Sequence, residues 1–362
     1  MKKLLIFVFL FFSLINVVPS QDIPTLKIGL GRIEKEAVFS NVSRIITDYL
    51  DIKVEGKGSI KIKNIDGSVF IETGNGILGV TLPLDLYPID GEFINYNSKA
   101  YRGYLEINKD SWIINILNME EYLFSVVPSE MPAFYPMEAL KAQAVASRTY
   151  ALVSRGRHGG FDLCNNTHCQ VYKGVVAENE RSNKAVLDTL GEIVVYNGSP
   201  IKAFFHSSSG GYTENSENVW GEYLPYLRAV KDVDELFLDT WTLNFSVDYF
   251  VDKLKAAHIN LNNSFSIELE KTETGRVRRL LFKDDQYIYD MNGTTFRQLF
   301  NLPSTLFDIL LNGNGILTLV GRGNGHGVGL SQKGAKVLAE RGYNYKEILK
   351  YYYQKVEAAK WY

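Results

Sequence analysis

Hydrophobic and polar positions alternate with period two through much of the first third of the chain. Ser59–Asn64, Ser68–Thr73, Ile77–Leu84 and Trp112–Leu117 read as short strands. Gly56, Gly58, Gly67, Gly74 and Gly76 punctuate the run, as turn residues do. The period changes further on. Ala139, Ala142, Val145, Ala146, Thr149, Leu152 and Val153 recur at helical spacing, while Glu138, Lys141, Arg148 and Arg155 fall on another face. That pattern predicts a helix over 136–154, with Pro136 suited to its first position. A second helix is predicted at 180–190. Strands at 192–196 and 200–205 flank Asn197-Gly198, a two-residue hairpin turn. Residues 235–320 read as a separate lobe: a helix near 246–258, strands at 266–271, 276–282 and 286–290, then Thr294–Phe300. Ser331 is placed to cap a helix through Leu338 that stops at Gly342, and a last helix covers about 345–354. Strands and helices mix without regular alternation, so the fold class is α+β. Its parts are a β-rich N-terminal region (21–118), a core of mixed strands and helices (119–234 and 321–362) and a smaller inserted α+β lobe (235–320).

Composition narrows the class. With 362 residues, 46% hydrophobic and 22% charged, the chain is an ordinary globular protein of about two domains. Disordered, collagen-like and coiled-coil proteins are excluded. Lysine plus arginine (39) nearly balance aspartate plus glutamate (41), for a net charge of −2. No positive field exists to neutralise phosphates, so no nucleic-acid partner is expected. Aromatics are 20 Phe + 22 Tyr + 4 Trp = 46 residues, mostly core, with some available as platforms for sugar rings. Residues 1–20 begin with Lys2 and Lys3, continue apolar from Leu4 to Val18 apart from Ser13 and Asn16, and end Val18-Pro19-Ser20. This is a signal-peptide pattern, or an uncleaved anchor, and is short of the roughly 20 apolar residues of a membrane span. An extracytoplasmic protein is expected (secreted, periplasmic or on the cell-wall side), with membrane contact only through that segment. Its removal takes two lysines and leaves −2 − 2 = −4.

Four segments could carry chemistry. In Val127-Pro128-Ser129-Glu130-Met131-Pro132, a carboxylate sits between two prolines ahead of the strong helix. Proline on both sides predicts a rigid turn, a good platform for an acid, although most loop glutamates are idle. Between His158 and Gln170 lie two histidines, His158 and His168, and the chain's two cysteines, Cys164 and Cys169. These read as a Cys164–Cys169 disulfide, as a zinc site with one or two histidines, or as free thiols. His206-Ser207-Ser208-Ser209-Gly210-Gly211 is a Ser/Gly turn after a strand, and no GxSxG elbow is present. Gly321–Gly329 surrounds His326 with glycines and reads as a tight turn with an exposed histidine; no βαβ continuation supports a dinucleotide fingerprint.

Together these segments resemble the SpoIID/LytB family, the stage II sporulation protein D and amidase-enhancer group. The stretches that carry the resemblance are EEYLFSVVPSEMPAFYPMEALKAQAVASRTYAL, HCQVYKG, AVLDTLGEIVVYNGSPIKAFFHSSSGGYTEN, GRGNGHGVGLSQKGAKVLAERG and EILKYYY, in the family's order across 120–355, with YRGYLEI at 101–107 as lead-in. Ser129 stands where many members have glycine. The resemblance implies a peptidoglycan lytic transglycosylase that cuts between N-acetylmuramic acid and N-acetylglucosamine in peptide-stripped strands and leaves 1,6-anhydromuramic ends. It implies Glu130 as the single acid and base, a role that needs no second carboxylate because the nucleophile is the sugar's own C6 hydroxyl. It implies zinc on His158, Cys164 and Cys169, with His168 as a fourth ligand, in preference to the disulfide. It implies Lys141, Gln170, Tyr172, His206, Ser207, Ser209, His326, Ser331 and Gln332 as polar positions lining the cleft. A cell-wall amidase is the further partner it implies. The rival expectations are a non-catalytic amidase enhancer that holds glycan, and a zinc hydrolase of amide bonds.

Overall fold

The computed structural model describes residues 22–55, 59–65, 67–74, 76–233, 239–262, 264–312 and 315–362. The apolar N-terminal segment lies outside them, and no described helix is long and apolar enough to cross a membrane. The protein is α+β. Alternation in the first third becomes two sheets, one of seven strands and one of six. Along Ser59–Ile65, Ile60 and Ile62 point into the core while the polar residues between them face outward. The seven-stranded sheet has Thr25–Arg32 and Trp112–Asn118 side by side, antiparallel. The pair Leu163–Cys164 adds to it as a short parallel edge along Ile28 and Gly29.

Eight α-helices follow among the described residues: α1 (Met119–Glu130), α2 (Met137–Val153), α3 (Glu180–Asp188), α4 (Ser216–Trp220), α5 (Val247–Ala256), α6 (Gly293–Leu299), α7 (Gln332–Glu340) and α8 (Tyr345–Tyr352). The periodicity of α2 understates its role. Every residue from Ala139 to Ala151 except Lys141 is buried, so this is a central helix enclosed on all sides rather than an amphipathic one. Its many alanines let α1, α3, α7 and α8 approach closely. The chain's end returns as Glu357–Lys360 to pair with Glu192–Tyr196. The Asn197-Gly198 turn forms, with both residues at positive φ, 49° and 77°. Strand pairing after it is short: Ser199–Pro200 and Phe205–His206 are strand, and the stretch between them is not.

Residues 241–321 carry a hydrophobic cluster of their own around Phe250, Phe282, Phe296, Phe300 and Phe307, separate from the cluster shared by the sheets and central helices. The lobe leaves and re-enters at one place. Trp241 pairs with Gly321, so the chain departs and returns on neighbouring strands. A Cβ on Gly321 would sit 2.2 Å from the Trp241 ring, which explains a glycine there.

Two features differ from the sequence expectations. Helix α1 has no counterpart in them, because Pro128 lies inside it. The proline is near the helix end, where one lost hydrogen bond is tolerable, and Asn118 caps the start by accepting from the Glu121 N–H. Glu130 is therefore the last residue of a helix, not part of a turn between prolines. Pro132 holds Met131 extended (φ −126°, ψ 129°) and so ends the helix at Glu130.

Candidate active site

Glu130 opens onto a cavity of about 680 Å³ between the helical core and the glycine-rich loop. Its carboxyl is pushed above the ordinary value by burial, opposed by the Val171 N–H and by the positive charge of Lys173. The negative end of α1 works in the same direction as burial. The Val171 N–H donates to Glu130 Oε1 at 2.7 Å. That bond comes from the extended segment 170–173, laid along α1. Gln170 and Tyr172 point inward: Tyr122 Oη donates to Gln170 Oε1, Gln170 Nε2 donates to the Ser147 carbonyl, and Tyr172 Oη donates to Asn115. The Lys173 N–H donates to Ser125 Oγ of α1. Alternation along this segment then leaves the Val171 N–H facing Glu130. Among the described residues, Glu130 is the one carboxylate lining the cavity.

The opposite wall comes from two strands paired in parallel, Phe205–His206 and Leu330–Ser331. Leading into the second strand is Gly323–Gly329, in which Gly323, Gly325, Gly327 and Gly329 all have positive φ. A Cβ on Gly325 would meet His206 at 2.7 Å, and one on Gly327 would meet the Arg276 guanidinium at 2.4 Å. Glycine spacing in the motif is thus both conformational and steric. His326 is half-buried rather than exposed; burial and the charges of Arg297 and Arg276 push its imidazolium down to about 3. His206 is held neutral by burial, His326 and Arg276. Its Nδ1 lies 3.2 Å from the Val328 carbonyl, an acceptor only, so the proton is on Nδ1. His206 Nε2 is then a buried lone pair without a partner, and Ser129 Oγ beside Glu130 is likewise unpartnered. Trp220, Phe204 and Tyr150 form an aromatic wall, with Phe204 and Trp220 centroids 4.4 Å apart and Tyr150 5.9 Å from Phe204.

Of the polar positions singled out in the sequence, His206, Ser207, His326 and Gln332 line this cavity. Lys141, Gln170, Tyr172, Ser209 and Ser331 do not. Lys141 pairs with Glu138 and Asp188. Ser331 caps α7 through the Gly334 N–H, and Ser209 Oγ accepts from the Gly211 N–H. Sequence reasoning missed Trp220, Tyr150, Phe204, Asn324, Arg157 and Arg297 as lining residues. Aromatic side chains give no pattern that separates a wall from a core, and Arg297 comes from the distant lobe.

His158, Cys164, His168 and Cys169 place one ligand atom each within 4.8 Å of one another. His158 Nε2 and Cys169 Sγ are 3.1 Å apart; His168 Nδ1 is 3.6 Å from Cys164 Sγ and 3.5 Å from Cys169 Sγ. Bonds of about 2.0–2.3 Å in a tetrahedron separate the ligands by roughly 3.3–3.8 Å, so the set fits a tetrahedral cation. Both cysteines are free, and no disulfide joins them. Burial pushes the Cys169 thiol up to about 11, a cost that a bound cation would reverse. The loop is anchored from below: His158 stacks on Phe161 at 4.7 Å, and Phe161 packs where Gly29 leaves no Cβ. His168 and Cys169 also line the cavity, which joins the cluster to the Glu130 site.

Residues 108–196 match the Stage II sporulation protein family. An uncharacterized protein of Brachyspira hyodysenteriae is 35% identical over 89% of this chain and 83% of its own. Stage II sporulation protein D of Bacillus amyloliquefaciens is 36% identical over 66% of this chain and 73% of its own. The amidase enhancer of Bacillus subtilis is 32% identical over 64% of this chain and 39% of its own.

Proposed function

Since the chain belongs to the SpoIID/LytB family, we propose that it is a peptidoglycan lytic transglycosylase with Glu130 as its single acid and base. One observation carries this reading: a half-buried carboxyl with a raised pKa is, among the described residues, the one carboxylate on a sugar-sized cavity with an aromatic wall. Hydrolysis by two carboxylates needs a partner some 5–10 Å away, and none lines this cavity among the described residues. A nucleophile tethered to the substrate removes the need for one.

The protonated Glu130 donates its proton to the glycosidic oxygen, and the bond from muramic C1 to that oxygen breaks. N-acetylglucosamine leaves with a free 4-hydroxyl. The C6 hydroxyl of the muramic residue attacks C1, and Glu130, now a carboxylate, takes the proton that O6 loses. The product is the 1,6-anhydro sugar, with no net consumption of water. Burial keeps Glu130 protonated for the first transfer, and the Val171 N–H stabilises the anion between the two. His206 Nε2 and Ser129 Oγ are free to bond sugar hydroxyls, and Trp220 and Phe204 to stack on a ring.

Zinc is the cofactor the four Cys and His donors suit. His158, Cys164, His168 and Cys169 would together hold it with no position left for water, so zinc would brace the cavity wall at His168 and Cys169. That supports a transglycosylase over a zinc hydrolase. On this reading the protein works outside the cytoplasm, delivered by its N-terminal segment. A cell-wall amidase that strips the peptides first is the partner consistent with the relative's name.

The test is mass spectrometry of products from peptide-free glycan strands, with wild type and Glu130→Gln. Anhydromuramic ends from wild type alone are expected. Reducing ends would mean hydrolysis. No cleavage by either protein, with an amidase still stimulated, would establish the non-catalytic enhancer instead.

A further inference from the structure

Arg297 is a charged cavity-lining residue that no part of the proposed reaction uses. It stands in the last turn of α6, so it is the inserted lobe that brings it to the site. It is half-buried, and burial makes its charge costly. Among the described residues its polar partner is the Leu302 carbonyl, which accepts from Nε at 3.1 Å, and no carboxylate lies within ion-pair range. A desolvated guanidinium without an anion is an expensive arrangement that a bound anion would relieve. Its charge falls at the histidine end of the cavity, where it depresses ionisation of His206 and His326. Arg276, another cation of the lobe, is buried nearby with Nε and Nη1 unpartnered. The buried Glu214 carboxylate offsets part of the Arg276 charge, whereas no described carboxylate pairs with Arg297. Arg157 also lines the cavity, but it is exposed and donates to Tyr150 Oη.

We propose that Arg297 binds the free lactyl carboxylate of a muramic residue, so that the lobe selects glycan from which the peptide has been removed. The inference rests on the glycan-binding part of the function proposed above, and not on cleavage. An intact stem converts that carboxylate to an amide, which is neutral and bulkier. The guanidinium then loses its charge-assisted pair, and discrimination follows from the same chemistry that generates the substrate. Any enzyme that supplies this substrate must therefore hydrolyse the amide between the lactyl group and the first amino acid.

The experiment measures binding in the Glu130→Gln protein, so that no turnover intervenes. Peptide-free strands are compared with the same strands after carbodiimide coupling of their carboxylates to methylamine. Tighter binding of the free-carboxylate strands by about ten- to a hundredfold is expected, the range of a charge-assisted bond. Arg297→Met should erase the difference, weakening the free-acid strands and leaving the amidated ones unchanged; Arg297→Lys should restore part of it. Equal affinity of the Glu130→Gln protein for the two strands overturns the proposal without need of an Arg297 variant, whether or not that variant folds. Equal losses on both strands in Arg297→Met also overturn it. Cleavage by wild type is scored separately. Selective binding without cleavage keeps this inference and removes the transglycosylase.

Discussion

Arg148 on α2 offers a severe test of how the core holds α1, and therefore Glu130, in place. Its side chain is fully buried and pairs with Glu120 through two bonds, Nε to Oε1 at 2.9 Å and Nη2 to Oε2 at 2.6 Å. Nη1 and Nη2 also donate to the carbonyls of Glu192 and Val186, at 3.0 and 3.2 Å. Glu120 accepts in addition from Tyr362 Oη at 2.5 Å, so the chain's last residue closes the network. Arg148→Met keeps the aliphatic stem and removes every donor. It takes a donor from the Glu192 carbonyl, leaves the Val186 carbonyl to Thr189 alone, and leaves a buried carboxylate with Tyr362 and the Gly191 N–H as remaining partners. Breaking one side of a buried ion pair costs about 3–5 kcal/mol. For a protein of this size that corresponds to a fall of roughly 4–7 °C in Tm. The assay is urea unfolding followed by tryptophan fluorescence, with calorimetric Tm alongside. Arg148→Met combined with Glu120→Leu should recover part of the loss, because the orphaned carboxylate is then gone. A loss below about 1 kcal/mol, well under the value for a broken buried pair, would refute the reasoning. So would a double variant as unstable as the two single losses added.

Lys173→Met removes a charge that favours the Glu130 carboxylate, so the alkaline limb of the pH–rate profile should move to higher pH; a downward move would contradict the assignment of Glu130 as the acid. A carboxyl whose folded pKa is raised binds more protons folded than unfolded, so stability falls as pH rises through that value. Glu130→Gln should therefore raise Tm at neutral pH, and the gain should vanish below about pH 4, where the unfolded carboxyl is also protonated; a pH-independent gain would count against the buried acid. Gly327→Ala forces φ +85° and drives a Cβ to 2.4 Å from Arg276, so it should cost clearly more than Gly342→Ala, where φ is +90° and the space is open. The second change should show the left-handed backbone cost alone, about 1–2 kcal/mol by denaturant unfolding. Zinc-loaded protein should lose Tm with a chelator and not with a reductant, on the order of 3 kcal/mol for a ligand at a hundred times its Kd, and Cys169→Ser should abolish the zinc-dependent gain; the reverse pattern would mean a disulfide.

Local signals were written plainly in the chain. Alternation at 59–64 and 68–73 needs only one buried face, and helical spacing at 139–153 needs only a core to meet, so these elements survive any tertiary arrangement. The Asn197-Gly198 turn follows from the freedom of two residues at positive φ. Clustering of His158, Cys164, His168 and Cys169 was legible because one loop carries all four. Glu130 was visible as an acid between prolines, but its helix was hidden, since Pro128 reads as a breaker wherever its neighbours' packing is unknown.

What stayed hidden depends on contacts between distant segments. Whether Gln170 and Tyr172 meet sugar or core follows from which way the 170–173 segment faces α1, and that is set by Ser125, Ser147 and Asn115. The raised pKa of Glu130 is a property of burial, which no residue possesses alone. Arg297 joins the cavity because a lobe with its own phenylalanine core is hinged on the Trp241–Gly321 pairing, so its charge lands beside histidines from two other segments. Residue type and short-range period determined the elements and the inventory of reactive groups. Only packing decided which of those groups share one low-dielectric cavity, because desolvation and field depend on distance through space and not along the chain.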